Sequence, residues 1–306
     1  MDQPSLHKGH LRAILLALFV TFLWSTSWVL VKIGLKSNLP SITFAGLRYT
    51  LAFLCLIPFA AFHLPHRTTI RNLSKRTWAE LILLGVLFYA LTQGAQFVSL
   101  SFLPAATLNL ILNFSPVVVA LFGSFGRRET ASLGQWAGIL ISTAGALIYF
   151  LPQAVPAAQL TGIVAGLVAL LANSGSSVFG RYMNSQGRLP PIIVTSISMG
   201  IGGIIMLMVG IFTQGWGTLD FSNSLIIGWL ALVNTALAFT LWNRTLQTLT
   251  AVESSVLNGM MLPQIAILAW IFLGEALTIR QIIGIALVGI GTMVVQLWKY
   301  LPSRKI

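Results

Sequence analysis

Residues 274–291 read GEALTIRQIIGIALVGIG, and residues 128–145 read RETASLGQWAGILISTAG. Each stretch sets an acidic residue, Glu275 or Glu129, ahead of two glycines at the same spacing: Gly284 and Gly291 in one, Gly138 and Gly145 in the other. All three pairs are offset by 146 positions. Upstream, Pro116 and Pro263 correspond at an offset of 147, and Lys32 and Arg181, each closing an early apolar run, at 149. Small loop insertions and deletions account for that drift. The chain therefore states one pattern twice. If each copy makes an odd number of membrane crossings, the copies face opposite ways and leave a site between them.

Only 8% of the residues are charged and the mean hydropathy is +0.87, whereas a soluble domain carries about a quarter charged residues. The apolar runs at 11–31, 42–62 and 78–98 each approach the ~20 residues a helix needs to cross the hydrocarbon core of a bilayer. Further runs at about 103–125, 133–151, 159–181, 190–212, 224–244, 252–273 and 277–298 bring the expected count to ten. Because the runs are unbroken rather than alternating, a β-barrel is excluded. The expectation is an all-α polytopic membrane protein. Its ten transmembrane helices form two inverted five-helix repeats, residues 1–151 and 152–306, around a central cavity.

The net charge of +12 would suit a nucleic-acid partner, but its placement does not. With ten spans and both termini cytoplasmic, Lys32, Lys36 and Arg280 lie on the far side and Arg48 within a span. The rest of the 18 Lys and Arg residues fall on the cytoplasmic side. That bias is the positive-inside rule, and it leaves no surplus for a nucleic-acid patch. The single cysteine, Cys55, excludes an internal disulfide framework and reads as apolar filling. The N-terminal apolar stretch belongs to the repeat and runs on to residue 31, which argues against a cleaved signal peptide. The polar stretch 63–77 is expected to be a basic cytoplasmic loop on the lipid surface.

The paired pattern resembles that of the EamA-type drug/metabolite transporter superfamily: a small-residue helix with a proline, then Gly-Glu or Arg-Glu, then a helix with Gly-x6-Gly. Gly274-Glu275 with Gly284 and Gly291 fits closely, and Arg128-Glu129 with Gln135-Trp136, Gly138 and Gly145 is its counterpart. Trp24-Ser25-Thr26-Ser27 and Leu47-Arg48-Tyr49 look like that family as well. The likeness covers nearly the whole chain and is similar, within the superfamily, to bacterial amino-acid exporters of the YddG type. It implies the ten-helix inverted fold, a bacterial inner (plasma) membrane location, a small-molecule substrate among amino acids or related metabolites, and outward movement. Asn173-Ser174-Gly175-Ser176 stands where the first half has Trp24-Ser25-Thr26-Ser27, so the halves should line the cavity with different chemistry.

Polar side chains inside a span are costly unless they face protein or water, so they mark candidate cavity residues. Tyr89, Gln93 and Gln96 are spaced to share one helical face, as are Asn109, Asn113 and Pro116. The first span adds Trp24 and Ser27, and its counterpart adds Asn173, Ser174 and Ser177. The eighth adds Asn234, Phe239 and Trp242, and the ninth Asn258. Pro116 and Pro263 return no N–H to the carbonyls of Leu112 and Gly259. Loose backbone at membrane depth is tolerated where it is buried in protein or lines a wet cavity. Both are candidate helix breaks and gating points; the alternative is a packing kink. For the tryptophans the alternative is an interfacial belt, which suits Trp78, Trp229 and Trp298. For Asn and Gln it is hydrogen bonding between helices. Arg48 is a candidate contact for a substrate carboxylate; otherwise it steadies helix-end carbonyls or snorkels. The glycines read as packing seams within each repeat, with a dimer seam as the alternative, giving a monomer or weak dimer in lipid. Glu129 and Glu275 read as caps or ion-pair partners at helix boundaries.

The six acidic residues (Asp2, Glu80, Glu129, Asp220, Glu253, Glu275) fall in loops or at span ends. The four histidines (His7, His10, His63, His66) fall in the N-terminal tail and a cytoplasmic loop. That leaves no carboxylate or imidazole inside the membrane as a proton relay, and no nucleophile–base pair or metal cluster for an intramembrane enzyme. No catalytic residue, metal or cofactor is expected. Facilitated movement by alternating access follows, with a sodium site of carbonyls and amides near the prolines as a coupled alternative. A neutral, amide-rich and aromatic-rich pocket suits zwitterions, such as amino acids with apolar or aromatic side chains. The rival readings are an exporter of lipophilic drugs or organic cations, a proton-coupled antiporter of the same fold, and a channel.

Overall fold

Every element among the described residues is helical. The computed structural model describes residues 3–35, 39–61, 64–103, 105–126, 130–150, 159–273 and 277–298; Glu129 and Glu275 lie outside them. The first half runs through α1 (Gln3–Gly34), α2 (Ser41–Ala61), α3 (Leu64–Arg71), α4 (Lys75–Leu84), a π-helical stretch (Gly85–Leu91) and α5 (Thr92–Phe102). It ends with α6 (Ala105–Leu112), α7 (Ser115–Gly126) and α8 (Leu133–Phe150). The second half runs through α9 (Leu160–Ser185), α10 (Pro191–Gln214), α11 (Phe221–Ala231), a π-helical stretch (Leu232–Leu237) and α12 (Ala238–Thr245). Then come α13 (Ala251–Gly259), α14 (Met261–Leu273) and α15 (Ile279–Leu297).

Among the described residues, nine helical segments are long and apolar enough to cross a membrane, and the apolar Leu133–Tyr149 falls just short. Large apolar side chains such as Leu11, Leu15, Phe19 and Phe22 project outward from α1, as they do on a bundle whose solvent is lipid. The stretch 63–77, expected as a loop, contains the helix α3. Pro65 sits in its first turn, where a missing N–H costs nothing, and the Thr68 and Thr69 hydroxyls donate to the Pro65 carbonyl.

The two halves share their irregularities as well as their spans. Each third span carries a π-helical stretch, and each fourth span is interrupted, between α6 and α7 and between α13 and α14. The second spans, α2 and α10, and the fifth spans, α8 and α15, run antiparallel and pack on one another. A β-carbon on Gly138 would lie 2.7 Å from the Gly291 carbonyl oxygen, and one on Gly145 the same distance from that of Gly284. Along the second seam a β-carbon on Gly203 of α10 would lie 3.0 Å from the Tyr49–Thr50 backbone, and one on Gly210 2.6 Å from the Thr43 backbone. These are backbone-to-backbone contacts that only glycine permits. The signature glycines were expected to pack within each repeat; instead they join one half to the other, because α8 and α15 lie side by side. The first spans also cross over: α1 packs along α12, α13 and α14, and α9 along α5, α6 and α7.

Candidate functional site

A cavity of about 100 Å³ opens where these crossed-over elements converge. From α1 it takes Trp24, Ser27, Trp28 and Val31, which recur at helical spacing on one face. From α9 it takes Asn173 and Ser177, one turn apart. Gln93, Gln96, Asn109, Asn113, Phe239, Trp242, Asn258 and Arg48 also reach its wall.

Tyr89, Ser174, Asn234, Pro116 and Pro263 do not line it, each for a physical reason. In the third span the turn through Gly85–Leu91 is π-helical, and the Thr92 hydroxyl donates to the Leu87 carbonyl five residues back. A π turn brings i and i+5, not i and i+4, onto one face. Phe88 therefore stands in line with Gln93 and Gln96, and Tyr89 is rotated into the core behind. Ser174 is fully buried, its hydroxyl donating to the Leu170 carbonyl. Asn234 is a brace: its Nδ2 donates to the Leu23 carbonyl and to Thr26 Oγ1, tying the second π stretch to α1. Pro116 and Pro263 are buried in the first turns of α7 and α14. Each helix has ended before its proline, so the ring meets no continuous ladder.

The breaks themselves do face the cavity. Leu112, Asn113, Asn258 and Gly259 all line it, and a β-carbon on Gly259 would stand 3.4 Å from Asn113 Oδ1. The two interrupted spans thus meet at their interruptions. Asn113 Nδ2 donates to the Asn109 carbonyl at 2.8 Å, and Asn173 Nδ2 to Ser115 Oγ at 3.2 Å. Pro116 and Pro263 supply no backbone N–H to the carbonyls of Leu112 and Gly259 four residues back.

The opposite wall is aromatic. Phe239 lies 4.9 Å from Trp24, 5.8 Å from Tyr49, 5.3 Å from Phe88 and 5.2 Å from Tyr89, ring centre to ring centre. Trp24 also lies 5.0 Å from Trp242, so it belongs to this cluster and not to an interfacial belt. Such tilted and edge-on pairs fix ring positions.

Arg48 is only 4% exposed, so it does not snorkel. Its Nε donates to Thr235 Oγ1 at 2.7 Å, its Nη2 to the Asn234 carbonyl at 3.3 Å, and its guanidinium carbon lies 5.3 Å from the Tyr49 ring centre. It thus braces the π stretch of the eighth span while contributing to the cavity wall. Among the described residues, none of its contacts is with a carboxylate. The described lining also includes no acidic residue and no histidine.

One titratable pair escaped the sequence reading. His10 was expected in the N-terminal tail but lies in α1; Glu253, expected in a loop or at a span end, lies in the first turn of α13, and both are buried. His10 Nε2 stands 3.6 Å from Glu253 Oε1. Glu253 also closes a capping box with Thr250, and its carbonyl accepts from Gln296 Nε2. The pair joins α1, α13 and α15 away from the cavity lining. Gln264 joins α14 to α1: its Oε1 accepts from Ser25 Oγ and its Nε2 donates to the Leu18 carbonyl. Phe88, Phe97, Met261 and Leu262 line the cavity unannounced, since apolar residues in an apolar chain carry no signal, and the polar Ser255 joins them.

Known bacterial transporters match the chain over most of its length. The chain is 26% identical to the Uncharacterized transporter YvbV of Bacillus subtilis (strain 168), over 90% of this chain and 89% of that protein. It is 26% identical to the S-adenosylmethionine/S-adenosylhomocysteine transporter of Chlamydia trachomatis serovar L2, over 86% and 83%. It is 26% identical to the Probable amino-acid metabolite efflux pump of Salmonella typhimurium, over 90% and 92%. One solved crystal structure superposes with a TM-score of 0.78 at 19% identity, covering 95% of this chain and 99% of that one, and so shares the fold. The family model described as the EamA-like transporter family matches twice, at residues 11–151 and 160–297. The chain is an integral membrane transporter, not an enzyme, and belongs to the EamA-like transporter family.

Proposed function

We propose that this transporter exports amino acids with apolar or aromatic side chains, or closely similar metabolites, by alternating access. The halves are residues 1–151 and 152–306, each with five spans, and both termini are cytoplasmic, in a bacterial inner membrane. The residues named above as cavity lining, with the helix breaks ahead of Pro116 and Pro263, form the solute site. The observation that carries this reading is the cavity where the two broken spans meet, walled by rings on one side and carboxamides on the other. Such a surface matches a zwitterion with an apolar side chain better than an organic cation, for which it offers no carboxylate. Bacterial relatives bear the names of an amino-acid metabolite efflux pump and an S-adenosylmethionine/S-adenosylhomocysteine transporter, and the solutes in the second name are themselves α-amino acids.

With no acid or imidazole in the described lining, movement follows the solute gradient. The buried His10–Glu253 pair supports a second reading, coupling to protons, since ionisable groups at membrane depth commonly serve transport. One experiment addresses both. Radiolabelled leucine, methionine and phenylalanine are offered to proteoliposomes with and without an imposed pH gradient. Saturable counterflow that ignores the gradient is expected. Strong acceleration by the gradient overturns facilitation, and block by quaternary amines in preference to amino acids overturns the solute class.

A further inference from the structure

The cavity is polarised in its hydrogen-bonding capacity. On the aromatic wall the unsatisfied groups are donors. The indole Nε1 of Trp24 is buried without a partner, and Arg48 spends Nε and Nη2 on Thr235 and Asn234, leaving Nη1 with its two protons. A buried cation with no carboxylate partner is costly and calls for an anion. On the wall where the broken spans meet, the unsatisfied groups are acceptors. Asn258 Oδ1 is buried without a partner, and the carbonyls of Leu112 and Gly259 get no N–H from Pro116 and Pro263 four residues on. A cluster of neutral acceptors calls for a donor with several protons.

We infer that the cavity holds an α-amino-acid head in one fixed orientation, with the carboxylate on Arg48 Nη1 and the Trp24 indole N–H. The α-ammonium sits on Asn258 Oδ1 and the freed carbonyls of Leu112 and Gly259. This inference rests on the proposal that the solute is an amino acid and adds which end of it each half receives. Trp24 and Arg48 belong to the first half and Asn258 and Gly259 to the second, so a head of this kind is gripped from both sides. Leu112, from the first half, reaches the second wall because the two interruptions meet. Solutes lacking either charge engage one wall only.

The test uses the purified full chain and a ligand series that needs no variant. Among leucine, methionine and phenylalanine, the best-transported amino acid is displaced by itself, by its carboxamide (no carboxylate) and by its deamino acid (no ammonium). Each analogue should bind at least about 30-fold more weakly, the scale of losing one partner of a desolvated charged contact. Two variants then assign the ends. Trp24→Phe keeps the ring and should weaken the amino acid and the deamino acid while leaving the carboxamide unchanged. Asn258→Leu should weaken the amino acid and the carboxamide while leaving the deamino acid unchanged. If the carboxamide binds as well as the amino acid, or the two variants show the same pattern, the orientation is wrong although the solute class stands. If no amino acid binds the wild-type chain, the solute reading and the orientation fall together.

Discussion

Gly145 and Gly284 face one another so closely that a β-carbon on either would stand 2.7 Å from the carbonyl oxygen of the other. The contact is reciprocal, and Gly138 and Gly291 repeat it further along α8 and α15. Replacing either member with valine forces backbone apart from backbone. Gly284→Val is expected to destabilise the protein by about 3 kcal/mol, the upper end for overpacking a close-packed seam. Gly289 lies on the same helix with nothing within 4 Å of a β-carbon, so Gly289→Ala should be neutral or slightly stabilising. Thermal unfolding in mild detergent separates the two.

Phe88 and Tyr89 test the π turn directly. Phe88 reaches the cavity and Tyr89 packs behind it. Phe88→Ala should raise the KM for solute roughly 10-fold, as removal of a single pocket-lining ring typically does. Tyr89→Phe should leave KM unchanged. A regular α-helix through this stretch would reverse the ranking.

Thr235 receives the Arg48 Nε hydrogen bond at 2.7 Å. Thr235→Val keeps the shape and removes the acceptor, at a cost of about 1.5 kcal/mol for a hydrogen bond to a charged group. Stability measured by thermal melting should fall accordingly, and Thr235→Ser should restore most of it.

Glu253 has two duties that can be parted. Glutamine at the same position can still close the capping box with Thr250 but cannot pair as an ion with His10. Glu253→Gln should therefore retain the cap and lose only the ionic contact. Glu253→Ala loses both, and should cost a further ~1 kcal/mol, the usual worth of a helix cap. Chemical denaturation of the two variants reads the difference. Facilitated transport also predicts that Glu253→Gln leaves counterflow exchange intact.

The large-scale architecture was legible in the sequence because bilayer-spanning helices announce themselves by length and apolarity, and because the Glu–Gly–Gly pattern recurs. Trp24, Gln93, Asn113 and Asn258 could be placed on inward faces since polar groups have nowhere else to go in lipid. The misses share a cause. Tyr89 was misassigned because a π turn leaves no composition mark, and a single extra residue per turn rotates everything before it. Ser174 and Asn234 are polar and inward yet serve contacts between helices, a distinction that depends on neighbours far away in the chain. His10 was hidden by its position near the start of a long helix, before the apolar run begins. The glycine seam was correctly read as a seam but assigned to the wrong partner, since spacing says how close a helix can come, not which one comes.

That pairing also yokes the two copies to each other's history. After a duplication, sister segments ordinarily drift apart, as the differing Trp24 and Asn173 neighbourhoods have done. At positions 138, 145, 284 and 291 a side chain gained in one copy collides with the main chain of the other, so neither can change without an answering shift in its twin. The lipid-facing and cavity-facing surfaces are free of that constraint, which leaves solute preference able to diversify while the seam between the copies stays fixed.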